Sequence, residues 1–368
     1  MKYKKISYSQ SGVNYSDLDP IKKLAQKAGR STSKNLTVNG FSEVSNSRGE
    51  SAYVWKQGST LMASVIEGLG TKNLVADEMR KVTGKTYYDI IANDTVATII
   101  NDLITVGATP LTLHAYWAVG DNDFLKDKER MDCLISGWRD ACNSAGVTWG
   151  GGETPTLKGI VVPGTIDLGG SAVGIIKQKS KLITENKLCS GDRILLLKSS
   201  GINANGISLA RAVASKLKKG YATKLPSGHL FGEAILQKSH IYATLLGALY
   251  DANIDIHYVS HISGHGLRKI MRAKKNFTYV IEKIFDPQEL FPFIQKQAQL
   301  SDSEMYETFN MGMDYALYLP MKDSKKAQTI IKNCGFESID AGYVEKGKRQ
   351  VIIEPKHITY GAETLNLR

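Results

Sequence analysis

The sequence predicts two domains that each mix strands and helices, the α/β (α+β) class. Three observations carry this. At 368 residues the chain is long enough for two domains, each with its own core. Stretches with strand-like alternation and stretches with helical spacing recur along its length. The rhythm changes around 178–190, which divides the chain into 1–180 and 181–368.

Residues 1–50 are polar and rich in Gly, Ser and Asn, which predicts a loosely structured start able to order around a ligand. "STLMASVIEGLGTKN" (59–73) reads as a strand running into a glycine turn. "NDTVATIINDLITVGATP" (93–110) carries a helix over 92–106. Val96, Ile99, Ile100, Leu103 and Ile104 make its broad apolar side, and Gly107 and Pro110 stop it. "LTLHAYWAVGD" (111–121) alternates like a strand. Residues 125–145 read as a second helix with Met131, Leu134, Ile135 and Trp138 as its apolar side. "VTWGGGETPTLKG" (147–159) reads as a Gly-rich loop between strands, and "IDLGGSAVGIIKQ" (166–178) as the next strand. From "NKLCSGDRILLLKSSGINANG" (186–206) come a strand, a Gly/Ser/Asn turn and the helix "ISLARAVASKLKK". Alternating elements continue to about residue 355, including "HISGHGLRKIMR" (261–272), a Gly-rich turn into a helix.

No run of about 18 apolar residues exists, so no membrane span is expected. "MKYKKISYSQSG" has no apolar stretch behind its basic residues, unlike a secretory signal. Cys133, Cys142, Cys189 and Cys334 show no CxxC pairing and no partner His at zinc-ligand spacing, which points to reduced thiols in a cytoplasmic protein. The net charge of +11 comes from short, scattered Lys/Arg clusters without a nucleic-acid motif. A positive field of this kind helps gather small anionic substrates.

Asp94 and Asp102 are the only formally charged residues between Ile90 and Gly120. Asp94, Thr98, Asn101 and Thr105 share one narrow stripe of the helix, with Asp102 on its flank. All are short side chains, unlike the Lys, Glu and Arg of a wet helix face, so the stripe is expected to be partly buried. Buried carboxylates need a compensating cation or donors. Mg²⁺, which takes carboxylates together with substrate phosphates, suits them, and Asp89 in the preceding turn could join. On this reading Asp94→Asn weakens Mg-ATP binding in an intact fold.

Five glycine-containing stretches stand out. "EGLGTK" (67–72) offers backbone N–H groups, Thr71 and Lys72 as a phosphate cradle, or it is a plain turn. Glu153 in "GGGET" (150–154) is a metal or substrate ligand, or part of a hairpin connection. "SSGINANG" (199–206) presents N–H groups to an anion, or is a helix start capped by Asn205 or Ser208. His261 and His265 in "HISGHG" stand at i and i+4, but two glycines and the lack of HExxH argue against zinc there. "TFNMGMD" (308–314) is a further turn.

The order of these motifs resembles aminoimidazole ribonucleotide synthetases, also called phosphoribosylformylglycinamidine cyclo-ligases, over nearly the whole chain. "SYSQSGV" resembles that family's Ser-Tyr-x-x-Ala-Gly-Val, and "EGLGTK" its Asp-Gly-Val-Gly-Thr-Lys. Asp89, Asp94, Asn101 and Asp102 keep its Asp-x4-Asp-x6-Asn-Asp spacing, and "GGET" is whole. "GDRILLLKSSGINANGISL", "HISGHG" and "MYETFNMGM" follow in the family's order. The resemblance implies an N-terminal domain that binds ATP and Mg²⁺ and pairs its sheet with a twin's in a dimeric barrel, with a C-terminal α/β domain beside it. It implies ATP-dependent closure of an imidazole ring on a small anionic phosphoribosyl substrate. It places Lys72, Asp94 and Glu153 in catalysis, and Glu67, Gly68, Gly70, Thr71, Asn101 and Asp102 at the nucleotide. Asp89, Asp94 and Asp102 fall at the metal. Thr154, Ser199, Ser200, Gly201, Asn203, Asn205, His261, Gly264 and His265 fall at the substrate.

Some positions depart from the family. Glu67 replaces Asp, Asn203 replaces His, and His265 replaces Gly. Ser9, Gln10 and Asn14 replace charged residues, and the early Gly-rich loop shrinks to "NGFSE" (39–43). The departures gather in segments expected to touch the substrate. An ATP-dependent phosphotransferase of the same superfamily acting on another small molecule, and a divergent nucleotide-binding homologue, therefore stay open.

Overall fold

A computed structural model describes residue 12, residues 15–365 and residue 367. Ser9, Gln10 and Asn14 lie outside the described residues.

The first half builds a six-stranded sheet from β1 (Ser42–Glu43), β2 (Tyr53–Gln57), β3 (Thr60–Gly68), β4 (Thr109–Val119), β5 (Thr148–Glu153) and β6 (Ile166–Ile176). Their order is β1-β2-β3-β6-β4-β5. Its helices are α1 (Tyr15–Ser31), α2 (Lys34–Val38), α3 (Lys72–Thr83), α4 (Tyr88–Leu103), α5 (Asp123–Lys126) and α6 (Lys128–Ala145). Strand alternation sorts the sheet's faces. Leu61, Ala63 and Val65 of β3 are buried towards α4, whereas Ile66 on the other face is 77% exposed. α4 lies on β3 and β6, and α6 covers α4. Trp117, Trp138 and Trp149 interlock on this side, with ring centroids 5.3, 5.5 and 6.0 Å apart.

The second half is a seven-stranded sheet of β7 (Arg193–Lys198), β8 (Tyr258–His261), β9 (Phe277–Ile281), β10 (Met313–Leu319), β11 (Ser338–Lys346), β12 (Gln350–Ile353) and β13 (Ile358–Gly361). The order is β13-β12-β9-β11-β7-β10-β8. β10 is antiparallel to both β7 and β8, so β7 and β8 run the same way. Around it stand α7 (Ile207–Lys216), α8 (Phe231–Ile235), α9 (Ala243–Asp251), α10 (Leu290–Ala298), α11 (Asp302–Thr308) and α12 (Met321–Asn333). The halves meet where α3 packs on α8, and α6 and β4 on α9. No helix among the described residues is long and apolar enough to cross a membrane.

Three elements differ from the sequence reading. Residues 15–31 form a helix rather than a loose start. Leu18, Ile21, Leu24 and Ala28 do fall at helical spacing, a signal the sequence reading passed over, although Leu18, Ile21 and Leu24 are exposed in the structure. The helix is tied down instead by polar contacts: Asp19 to His265 at 3.3 Å and Gln26 to the Leu367 carbonyl at 3.1 Å. α3 follows the "EGLGTK" turn directly and ends at Gly84, whose φ of 75° gives a left-handed cap. Residues 148–153, expected as loop, form the edge strand β5, parallel to β4. Glycine is needed there because a Cβ on Gly152 would meet the Ala115 carbonyl oxygen at 2.2 Å.

Candidate active site

The polar stripe of α4 faces two different surroundings. Asn101 accepts the Tyr242 N–H at 3.0 Å and donates to the His240 carbonyl at 2.8 Å. Asp94 accepts the Ser239 N–H at 2.7 Å, and its other oxygen pairs with the Lys72 ammonium. Lys72 also donates to the Gln237 carbonyl at 3.0 Å. The Lys72 and Asp94 side chains are both 0% exposed. Their segment of α4 is thus a seam that satisfies backbone groups of residues 237–242, the link between α8 and α9.

Asp102 instead borders a cavity of about 390 Å³ between the two halves. Glu67 at the end of β3, Asn205, Gly264, His265, Lys269 and Arg272 also border it. Burial raises the Glu67 carboxyl, and the neighbouring Asp102 charge adds to this, holding it at about 8 against Lys269 and Arg272. Asp102 is buried as well. There the hydrogen bond and charge of His261, helped by Lys269 and Arg272, outweigh burial and bring it to about 2. His261 Nδ1 lies 2.7 Å from Asp102 Oδ1. Lys269 is drawn down to about 8 by burial and by Arg272, against the pull of Asp102 and Glu67. A raised carboxyl held beside a carboxylate, both from water-poor positions, is an all-oxygen donor pair that a hard divalent cation satisfies in place of the shared proton. Glu67 and Asp102 therefore fit Mg²⁺, and Lys269 and Arg272 fit phosphate oxygens beside it.

This geometry corrects several sequence expectations. Asp89, Asp94 and Asp102 do not converge on one ion. An α-helix rises about 1.5 Å per residue, which puts Asp89 and Asp102 about 20 Å apart along α4. Asp89 pairs with Lys238 at 2.8 Å at the far end, and Asp94 is enclosed by its protein partners. Lys72, expected at a phosphate, is sealed against Asp94, and Asn101 is held by backbone groups. Gly70, with φ of 75°, and Thr71 turn the chain into α3 and border neither this cavity nor the groove beside it. Glu67 and Gly68 do border that groove, of about 410 Å³, on the outer face of the first sheet. Glu153 and Thr154 are exposed at and just beyond the end of β5 and border neither space.

The substrate motif is divided. Ser199 is buried and donates to the Gly201 carbonyl at 2.9 Å. Ser200 and Gly201 border a separate cleft of about 340 Å³ with Gln237 and Gln288. Asn203 turns away and donates to Asp314 at 2.8 Å. Only Asn205 of this loop reaches the main cavity. His261 acts through Asp102, while Gly264 and His265 reach the cavity directly. Sequence reading missed Lys269 and Arg272. Their signal was three cations, Arg268, Lys269 and Arg272, alternating with Leu267, Ile270 and Met271 directly after a Gly-rich turn.

His265 adopts φ of 70°, the left-handed region in which the resembled family has glycine. Burial, then Lys269, Arg268 and Lys22, press its imidazole down to about 2. The Asp19 carboxyl facing it is itself raised by burial. An unfolded histidine protonates near pH 6.5 while this one stays neutral, so the unfolded state binds more protons below that pH and folding stability falls as pH falls. His265→Gln should remove up to about 2 kcal/mol of the acid destabilisation seen at pH 5. Denaturant melts of both proteins at pH 7 and pH 5 check this.

Comparison with known proteins agrees with this architecture. Residues 49–176 match the AIR synthase related protein N-terminal domain, and residues 190–354 match its C-terminal domain. A phosphoribosylformylglycinamidine cyclo-ligase of Rippkaea orientalis is 30% identical over 299 residues, covering 80% of this chain and 84% of that protein. One from Methanobrevibacter smithii is 30% identical over 332 residues, 89% of this chain and 91% of that protein. Among solved structures, a HypE–HypF complex aligns with a TM-score of 0.58 at 16% identity, covering 82% of this chain and 88% of that one. The enzyme AaThiL complexed with AMPPCP and TMP aligns with a TM-score of 0.56 at 14% identity, covering 84% and 89%. Both share the fold. With both domains matched in order and relatives aligned over most of its length, the chain belongs to the AIR synthase related protein family.

Proposed function

We propose that the protein closes formylglycinamidine ribonucleotide to 5-aminoimidazole ribonucleotide, using ATP and releasing ADP and phosphate, in purine biosynthesis in the cytoplasm. The observation that carries this is the convergence of Glu67, Asp102, Lys269 and Arg272 on one cavity, in a chain whose relatives carry the cyclo-ligase name. The formyl oxygen is a poor leaving group until it takes the γ-phosphoryl group of ATP. A nitrogen of the same molecule then attacks that carbon, and phosphate departs. Because the attack is intramolecular, positioning and charge neutralisation are the main demands on the protein. Glu67 and Asp102 would hold Mg²⁺, which neutralises phosphate charge. Lys269 and Arg272 bind phosphoryl oxygens, and His261 fixes the Asp102 carboxylate. Purified protein with Mg-ATP and formylglycinamidine ribonucleotide should yield equal amounts of ADP and the aminoimidazole. ATP-dependent phosphorylation of another small molecule, with no turnover of this one, would replace the reading with the phosphotransferase alternative. His265 at a glycine position in the cavity is the feature favouring that alternative.

The functional unit on this reading is a homodimer joined through the outer faces of the first sheets. Ile66 at 77% exposure and Tyr116 at 38% lie on that face, beside the groove that Glu67 borders. Ile66→Lys should shift the protein to monomer in sedimentation velocity. A wild-type monomer at micromolar concentration would count against the dimer.

A further inference from the structure

We propose that Cys189, Asp192 and His257 form a binding site for one zinc-class divalent ion, separate from the cavity. β7 and β8 run parallel on either side of β10, so the residues preceding both strands meet at one end of the second sheet. Cys189 and Asp192 lead into β7, and His257 leads into β8. The backbone fixes both segments. The Asp192 N–H and the Cys189 carbonyl close a turn at 3.3 Å, and the His257 N–H donates to the Tyr318 carbonyl at 2.8 Å.

The side chains converge. Cys189 Sγ lies 3.3 Å from Asp192 Oδ1 and 3.8 Å from His257 Nδ1, and His257 Nδ1 lies 2.8 Å from Asp192 Oδ1. A tetrahedral zinc with ordinary bond lengths to S, N and O has ligand–ligand edges of about 3.4–3.6 Å. Two of the three edges are within a few tenths of an ångström of that, and the third needs the imidazole and carboxylate to part slightly. The donor set of thiolate, imidazole and carboxylate suits zinc rather than magnesium or calcium, which prefer oxygen alone.

A second feature supports the same conclusion. The other ring nitrogen, His257 Nε2, lies 3.2 Å from Asp255 Oδ2, and Asp255 is held in turn by Lys187 at 3.0 Å. Metal-bound histidines commonly donate their distal N–H to such a carboxylate, which directs the remaining lone pair at the ion. Asp192 is buried and Cys189 is exposed, so the site is anchored on one side and open on the other, leaving a fourth position to water. The ion would pin together the lead-ins of two strands that are not adjacent in sequence. The cavity residues Asn205, Gly264 and His265 follow the opposite ends of the same two strands, so occupancy should not alter turnover.

The full-length protein, stripped of metal, is titrated with Co²⁺ alone and then with Zn²⁺. Wild type should take up one equivalent of Co²⁺ with a thiolate-to-cobalt charge-transfer band and the intense visible bands of a tetrahedral site. Zn²⁺ should displace it and raise the urea midpoint. Cys189→Ser should abolish the charge-transfer band, and His257→Asn should weaken Zn²⁺ binding at least tenfold, each with unchanged turnover. Absence of the band in wild type, or its survival in Cys189→Ser through another thiol such as Cys334, would overturn the proposal. The wild-type cobalt spectrum decides the matter even if a variant folds poorly.

Discussion

Replacing Asp94 by Asn should destabilise the protein by about 3–5 kcal/mol, because it leaves the Lys72 ammonium charged, buried and without its counter-ion. The pair sits at 0% exposure, so neither water nor salt can take the missing partner's place. Lys72→Ala should cost a similar amount by stranding the carboxylate, though the Ser239 N–H and the Asn93 side-chain amide still donate to it. A double change to apolar residues of similar size, Lys72→Met with Asp94→Leu, should recover much of the loss, since no charge is then left buried. Urea unfolding of the four proteins checks the pattern, with a midpoint fall of about 1 M or more expected for each single variant. A stable Asp94→Asn protein with weakened Mg-ATP binding, the result expected from sequence alone, would show that Asp94 serves the nucleotide after all.

The second large effect is expected at Asp102, and in activity. Asp102→Asn keeps an oxygen to accept from His261 and nearly the same volume, so the fold should survive. It removes a carboxylate that His261, Lys269 and Arg272 hold well towards its ionised form. On the proposed function, kcat/KM should fall at least 100-fold, about 3 kcal/mol of transition-state stabilisation. The concentration of Mg²⁺ needed for half-maximal rate should rise as well. Glu67→Gln should show the same metal dependence. Steady-state rates at varied Mg²⁺ give the answer, and an unchanged Mg²⁺ requirement in Asp102→Asn would remove this residue from the metal site.

Much of this molecule was legible in its sequence wherever local pattern decides structure. β3, β4, β6 and α4 fall close to where alternation and helical spacing put them. The short polar stripe of α4 correctly signalled burial. It did not reveal the partner, because the groups that Asp94 and Asn101 satisfy belong to backbone about 140 residues away. Asp94 and Asp102 look alike in sequence, and only tertiary placement separates a seam residue from a cavity residue. α1 was legible in the spacing of Leu18, Ile21, Leu24 and Ala28 but was passed over amid the polar residues around it, and its docking through Asp19 and Gln26 was not readable locally. β5 was invisible because its neighbour β4, rather than its own glycine-rich composition, defines it as a strand. Lys269 and Arg272 were hidden among many surface cations, and burial alone distinguishes them.

The tryptophans have an optical consequence. All four, Trp55, Trp117, Trp138 and Trp149, precede residue 178, and three of them touch one another. Indole emission, and the coupled near-ultraviolet signal of so close a trio, therefore watch the first half of the chain alone. The second half carries the buried tyrosines Tyr258, Tyr279, Tyr315 and Tyr318 but no indole. Exciting the indoles selectively follows one half of the chain, while backbone circular dichroism follows both. Coincident denaturation curves by the two signals would mean that the halves melt as a single cooperative block, and separated curves would give each half its own transition without any label being added.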